Sequence, residues 1–228
     1  MSDRLPPFIR EENRYVKKWK QAIFSPVRSS YGIGPERVYG AKIMKTRKHL
    51  TLGEINDILF ATHIGKHPER DRCLIQMCFI HGLRASEACQ LKISDIDLRD
   101  NVIYIRRLKN GFSTVHPLAQ DELPHLLCWL NLRGRWRDAD SEWLFLSQKG
   151  GQLTRKHVHY LIKRYGEAAN ITVASHPHML RHACGYALAD SGVDTRLIQD
   201  YLGHRNIRHT VIYTASNPNR FIGLWQKK

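Results

Sequence analysis

No stretch of this 228-residue sequence is apolar for long enough to cross a bilayer, since the longest run, Leu74 to Ile80, is already broken by Gln76. A secretory core is missing from the start of the chain, where Arg4, Arg10 and the Glu11-Glu12 pair interrupt any apolar run. Cysteines are few and odd in number. Cys73, Cys78, Cys89, Cys128 and Cys184 lack CxxC spacing and mostly fall at apolar helical positions, so buried reduced thiols are expected. The HExxH pattern of a zinc hydrolase is absent, as are internal repeats and low-complexity tracts. These absences point to a cytoplasmic protein with no membrane partner.

Acidic residues are scarce as well: 21 Asp and Glu stand against 36 Lys and Arg, a net charge of +15. Such an excess favours a polyanionic partner, because basic side chains release condensed counterions when they meet phosphates. With 42% hydrophobic residues the chain can still bury a core. Residues 1–48 carry a disproportionate share of the charge, with twelve Lys and Arg against four Asp and Glu. Pro6-Pro7, Pro26 and the stretch from Ser29 to Gly34 read as loop, with one helix from about Glu11 to Phe24. Tyr15, Trp19, Phe24 and Tyr31 alternate with the cations, a mixture that suits phosphate contacts beside stacking surfaces. We read residues 1–48 as a basic arm, with Lys17, Lys18, Lys20, Arg47 and Lys48 as candidate DNA contacts, and residues 49–228 as the domain proper.

From Leu50 onward the pattern sharpens. Thr51-Leu52-Gly53-Glu54 is a capping box, followed by Ile55, Ile58, Leu59 and Thr62 at helical spacing. Pro68 can open a second helix that stops near Gly82, and a short helix follows at Ala85–Leu91. Strands are predicted at Val102–Ile105 and Ser113–Leu118 around an Asn110-Gly111 turn, and a further strand at Trp143–Leu146. Helices are predicted over Asp121–Leu132, Arg155–Ala169, Pro177–Ser191, Asp194–Leu202, Ile207–Thr214 and Pro218–Gln226. The fold class is α+β, mainly α, with a small antiparallel sheet.

Several polar residues stand out against this frame. His178 and Arg181 are three apart on one helix and can address a common ligand. His204 follows a helix end at Leu202-Gly203, and Tyr213 comes nine residues later. Arg84 opens a short helix in Gly82-Leu83-Arg84-Ala85-Ser86-Glu87, and Lys109 sits at a hairpin tip. Singly each has an ordinary explanation: a core tyrosine, a salt bridge from Arg84 to Glu87, a solvated lysine. The i,i+4 pair His178 and His182 invites a metal reading, which the intervening Arg181 disfavours. No metal site is expected.

As an ordered set, Arg84, Lys109, His178, Arg181, His204 and Tyr213 resemble the catalytic residues of the tyrosine recombinase (phage integrase) family. The resemblance covers roughly residues 49–226. Arg107 through Leu118 and Gln199 through Asn217 are similar, more narrowly, to the small recombinases that switch fimbrial genes on and off.

That resemblance implies a site-specific recombinase needing neither metal, ATP nor other cofactor. Tyr213 would attack a backbone phosphate, and Arg84 and Arg181 would clamp the non-bridging oxygens on which charge accumulates. His178 would accept a proton or donate to the phosphate, His204 would be a second phosphate ligand, and Lys109 would protonate the departing 5′-oxygen. Glu87 would support Arg84. The implied partners are duplex DNA with inverted-repeat sites, DNA-bending architectural proteins, and further copies of the chain in a tetramer joined through helix 218–226, whose stripe is Phe221, Leu224 and Trp225. Residues 1–48 are shorter than the family's usual N-terminal DNA-grasping domain, and would replace part of it. An integrase or resolvase, a nicking-and-resealing topoisomerase, a non-cleaving regulator of the same fold and, third, a metal-dependent nuclease remain open.

Overall fold

A computed structural model describes residues 47–108 and 111–215, which lie in the unit Met44–Lys228. The expected helices near residues 11–24 and 218–226, the candidate contacts Lys17, Lys18 and Lys20, and Lys109 with Asn110 fall outside the described residues.

The first described helix, α1 (Leu52–Ala61), starts where the sequence says it should. Glu54 N–H donates to Thr51 Oγ1 at 3.2 Å and Thr51 N–H donates to Glu54 Oε2 at 2.8 Å, so two otherwise orphaned donors are satisfied reciprocally. The Arg47 guanidinium pairs with the same carboxylate. The apolar face of α1 buries Ile55, Ile58 and Leu59. Pro68 opens α2 (Pro68–Ile80), whose first turn buries an ion pair in which Arg70 Nε donates to Asp71 Oδ1 at 2.7 Å. The Tyr165 hydroxyl donates to the other oxygen of Asp71, so the buried carboxylate is fully engaged.

A short helix α3 (Ala85–Cys89) precedes a three-stranded antiparallel sheet of β1 (Ile96–Asp97), β2 (Val102–Ile105) and β3 (Thr114–Pro117), paired in that order. Ile103 opposes His116 and Ile105 opposes Thr114 on the inward face, while Tyr104 and Val115 oppose each other outward. Helices α4 (Leu123–Arg133), α5 (Arg155–Ala168), α6 (Pro177–Asp190), α7 (Thr195–Leu202) and α8 (Arg208–Ala215) follow. One large core takes side chains from α1 through α6, including Leu74, Ile103, Trp129, Ile162 and Leu180. A smaller one gathers Cys184, Ala189, Ile198, Leu202 and Tyr213 from α6, α7 and α8. Of the cysteines, all but half-buried Cys128 are buried. Among the described residues no helix is long and apolar enough to cross a membrane.

Polar links tie the sheet to the helices behind it. His81, at the end of α2, places Nε2 3.1 Å from Glu122 Oε2 and Nδ1 3.2 Å from His116 Nδ1. His116 stacks on Tyr201 of α7 with ring centroids 3.9 Å apart. Burial, with His81 and Arg107 nearby, pushes His116 down to about 3, so it is neutral.

The expected strand at Trp143–Leu146 is not a strand; it makes only isolated bridges, Lys92 with Trp143 and Leu146 with Gln152. The reason is Arg133. Its guanidinium donates to Ala139 O at 2.8 Å, Ser141 O at 2.6 Å, and Trp143 O at 2.7 Å, and its Nε reaches Leu144 O at 3.2 Å. Carbonyls that a ladder would have satisfied are taken by one side chain, and Trp129 Nε1 adds a bond to Leu144 O at 3.0 Å. β1 was not foreseen, being only two residues long.

Candidate active site

The site is organised by one buried carboxylate. Glu87 lies in the first turn of α3, where its Oε2 accepts from Arg84 N–H at 2.9 Å and caps the helix start. Arg84 NH1 donates to Oε1, Arg107 NH1 donates to Oε2 at 3.0 Å, and Arg181 NH1 stands 3.8 Å away. Burial opposes the charge on Glu87, but Arg107, Arg84 and Arg181 outweigh it and hold the carboxyl below its usual range. Three guanidinium groups on one carboxylate leave a net positive centre.

Arg107 is the innermost of the three. Beyond Glu87 it donates to His81 O at 2.9 Å, Gly82 O at 3.3 Å and Tyr201 O at 2.7 Å, joining the ends of α2, β2 and α7. Gly203 ends α7 in the left-handed region, φ 64°, and a Cβ there would stand 2.7 Å from both Arg107 Cγ and Phe112 O. A glycine is therefore required for the chain to turn from α7 toward His204. Leu108 N–H donates to Glu87 Oε1 at 3.3 Å, which pins the base of the β2–β3 hairpin to the same carboxylate.

Arg181 projects from α6 and donates to Gly82 O and to Leu202 O at 2.7 Å. Burial first, then the like charges of Arg107 and Arg84, lower it to about 10, so it stays a cation at neutral pH. His204 is held by Thr210, with Nδ1 2.9 Å from Oγ1, and by Gln199 Nε2 donating to its carbonyl at 2.9 Å. Burial and then Arg181 and Arg84 push its ring down to about 3. Arg84, Arg196, Arg205, His204 and His209 line an open groove of roughly 640 Å³ with Gly111 and Gly203 at its wall. Its chemistry suits an anion.

Tyr213 comes from α8 and packs into the smaller core, only 1% exposed. Its ring lies on Gly185, where a Cβ would fall 2.6 Å from the phenol carbons, and edge-on to Tyr186 at 5.1 Å. The His204 ring lies nearly parallel to it at 6.4 Å. Burial raises the phenol to about 12; Arg181 and Arg84 act in the opposite sense. The hydroxyl sits 3.0 Å from His182 Nδ1.

The fold thus brings Arg84, Arg181, His204 and Tyr213 into one neighbourhood. His178 is exposed in the first turn of α6, with its ring 6.4 Å from that of His176. His176 in turn stacks at 6.2 Å on His159 of α5, which presents Arg155, Lys156 and Lys163 to solvent. A basic face therefore runs from the site onto α5. Arg47 is engaged with Glu54, and Lys48 is exposed. Among the described residues, no three His, Cys, Asp or Glu side chains are grouped as metal ligands. Sequence reasoning missed Arg107 and the contact of His182 with Tyr213. No local signal marks either, because their partners lie far along the chain.

The family model described as Phage integrase family matches residues 48–220. The chain is 56% identical to the type 1 fimbriae regulatory protein FimB of Escherichia coli K12 over 80% of its own length and 92% of that protein. It is 50% identical to FimE of the same strain, over 81% of this chain and 93% of FimE. Among solved structures, XerH site-specific recombinase bound to palindromic difH substrate, a post-cleavage complex, superposes with a TM-score of 0.66 at 29% identity. That match covers 76% of this chain and about half, 51%, of the XerH chain.

Proposed function

The chain belongs to the phage integrase family and is a tyrosine site-specific recombinase; we propose that it inverts a promoter-bearing DNA segment in fimbrial phase variation, with Tyr213 as nucleophile. The carrying observation is the convergence of two guanidinium groups, Arg84 and Arg181, on the neighbourhood of the Tyr213 phenol. A phosphodiester held there would have its non-bridging oxygens neutralised by fixed cations that need no reorganisation as charge builds. Attack by Tyr213 Oη forms a 3′-phosphotyrosine ester and breaks the bond to the 5′-oxygen. One ester replaces another, so the bond energy is retained and a 5′-hydroxyl from another strand can reseal the backbone.

Within this proposal His204, neutral and steadied by Thr210, is a phosphate ligand, and His178 stands on the exposed side of the same helix turn as Arg181. Lys109 protonates the leaving oxygen. Its assignment is supported by its neighbours, since Leu108 is tied to Glu87 and Gly111 lies against Gly203. The partners we assign are duplex DNA with inverted-repeat sites, three further copies joined through residues 218–226, and bending proteins of the bacterial nucleoid, in the cytoplasm. Identity to FimB and FimE supports the fimbrial role.

Covalent trapping tests the chemistry. Full-length protein and Tyr213→Phe are incubated with nicked duplexes from the gene's own chromosomal neighbourhood, with chelator present. Denaturant-resistant adducts with the unaltered protein alone are expected, and sequencing their ends gives the cleavage site. Adducts with Tyr213→Phe, or none with either despite DNA binding, would overturn the assignment. Inversion of a two-site plasmid then separates segment switching from integration or excision.

A further inference from the structure

The phenol of Tyr213 touches a side chain to which the proposed chemistry gives no part. His182 follows Arg181 directly on α6 and brings Nδ1 to 3.0 Å from the Tyr213 hydroxyl, with the two rings edge to face at 5.8 Å. His182 is half-buried and faces cations or other imidazoles on several sides: His178, Arg181 and His176 from its own helix and cap, and His49 from the segment before α1. Burial and these neighbours lower it to about 4, so the ring is neutral at pH 7. The phenol beside it is protonated. In the tautomer with the imidazole proton on Nε2, Tyr213 Oη donates and His182 Nδ1 accepts, the polarity that proton transfer requires. The nearby His204 has its own Nδ1 engaged with Thr210.

We infer that His182 is the proton acceptor for Tyr213. As the Oη–phosphorus bond forms and the bond to the 5′-oxygen breaks, the phenol proton passes to His182 Nδ1. The leaving oxygen takes its proton from a separate donor, the role given to Lys109. In resealing, a 5′-hydroxyl gives its proton back to the donor that cleavage left deprotonated, the role given to Lys109, and displaces the tyrosine, while His182 returns the proton to Oη, so both residues end each cycle as they began. Docking of the phosphate assists the first transfer. Burial is the main cause of the low His182 pKa, and the fields of His178 and Arg181 add to it; the phosphate's negative charge offsets those fields, so the base gains strength when substrate is present. His182 touches the reacting atom itself, and so acts as a catalytic residue. The inference rests on Tyr213 being the nucleophile.

The test uses full-length protein in single-turnover cleavage of a nicked duplex carrying the trapped site. His182→Gln keeps an oxygen that can accept the phenol hydrogen bond but cannot take the proton. It should bind the duplex as the unaltered protein does and form adduct about 10²-fold more slowly or worse. A fluorinated tyrosine of lower phenol pKa, installed at position 213, should restore most of that loss, because an already acidic phenol needs no base. Cleavage by His182→Gln within about threefold of the unaltered rate would sink the inference. So would a loss that the fluorinated phenol leaves unrepaired, which would mark His182 as a positioning group. Should His182→Gln fail to fold, the fluorinated phenol in the unaltered background decides the question. With His182 as the base, the pH at which cleavage reaches half its maximum reports the ionisation of His182 and should stay in place when the phenol is made more acidic; a midpoint that follows the phenol would mean that Tyr213 ionises without a base and would reject the inference. Adduct from Tyr213→Phe would instead remove the nucleophile assignment, a result independent of His182.

Discussion

Arg107 and Arg181 share an acceptor: both guanidinium groups donate to the carbonyl oxygen of Gly82, and both face Glu87. Arg107 reaches it from the end of β2 and Arg181 from α6, so the relative placement of hairpin and helix is set at one backbone atom. Their environments differ in a way that separates folding from chemistry. Arg107 is enclosed by protein carbonyls, whereas the Arg84 side chain, on the same carboxylate, keeps 19% of its surface in solvent beside the groove.

Arg107→Met should therefore destabilise the fold by about 3–5 kcal/mol, since it leaves a buried carboxylate and several carbonyls short of a partner. Arg84→Ala should cost about 1 kcal/mol or less in stability, because Glu87 retains Arg107 and Arg181. It should nonetheless lower adduct formation about 10²–10³-fold. Urea unfolding alongside covalent trapping checks both. Equal loss of stability in the two variants would contradict the division of labour.

Gly185→Ala places a methyl 2.6 Å from the phenol ring of Tyr213. Overpacking of this kind costs about 1–3 kcal/mol, and here it displaces the proposed nucleophile rather than a passive side chain. The variant should melt at lower temperature and trap poorly while still binding DNA. Unchanged trapping would mean that the phenol does not need its ground-state seat.

Acid should weaken the fold well above the carboxylate range. His116 and His204 are held near 3, and His125 and His182 near 4, in each case mainly by burial. In the unfolded chain these rings protonate from about pH 6.5 downward. Between that value and 3–4 the unfolded state binds more protons, so stability falls as pH drops through this window and is fully present above it. Each ring contributes up to about 1.4 kcal/mol per pH unit, less where solvent screens it. Melting temperature followed from pH 7.5 to 5 should fall steadily, and His116→Gln should flatten the curve. A flat profile in the unaltered protein would refute the neutral-histidine reading.

Deleting residues 1–48 should weaken DNA binding and reduce its salt dependence, by roughly one unit of slope for each phosphate that the arm neutralises. Titrations at several salt concentrations measure this directly. An unchanged slope would remove the arm from the interface.

Much of the frame that carries the candidate site was legible in the sequence, for identifiable reasons. The Thr51–Glu54 box, the Pro68 and Pro177 helix starts and Gly203 after α7 are local rules, satisfied within four residues. The six candidate residues could be nominated because each sits in a distinctive local context. Arg107 and His182 could not, because their meaning lies in partners brought near only by folding: Tyr201 for Arg107, Tyr213 for His182. The strand expected at Trp143–Leu146 failed similarly, since its β-favouring side chains give no hint that Arg133 already occupies the carbonyls.

That last arrangement has a consequence for how the loop between α4 and α5 tolerates change. Because Arg133 holds main-chain oxygens of Ala139, Ser141, Trp143 and Leu144, the path there is dictated from outside the segment. Backbone oxygens survive substitution of the side chains that carry them. Asp140 is thus open to wide replacement at little risk to the path, a natural place to attach a label or affinity handle, whereas Glu142 also pairs with Lys92 at 2.7 Å. Arg133 itself admits no such freedom.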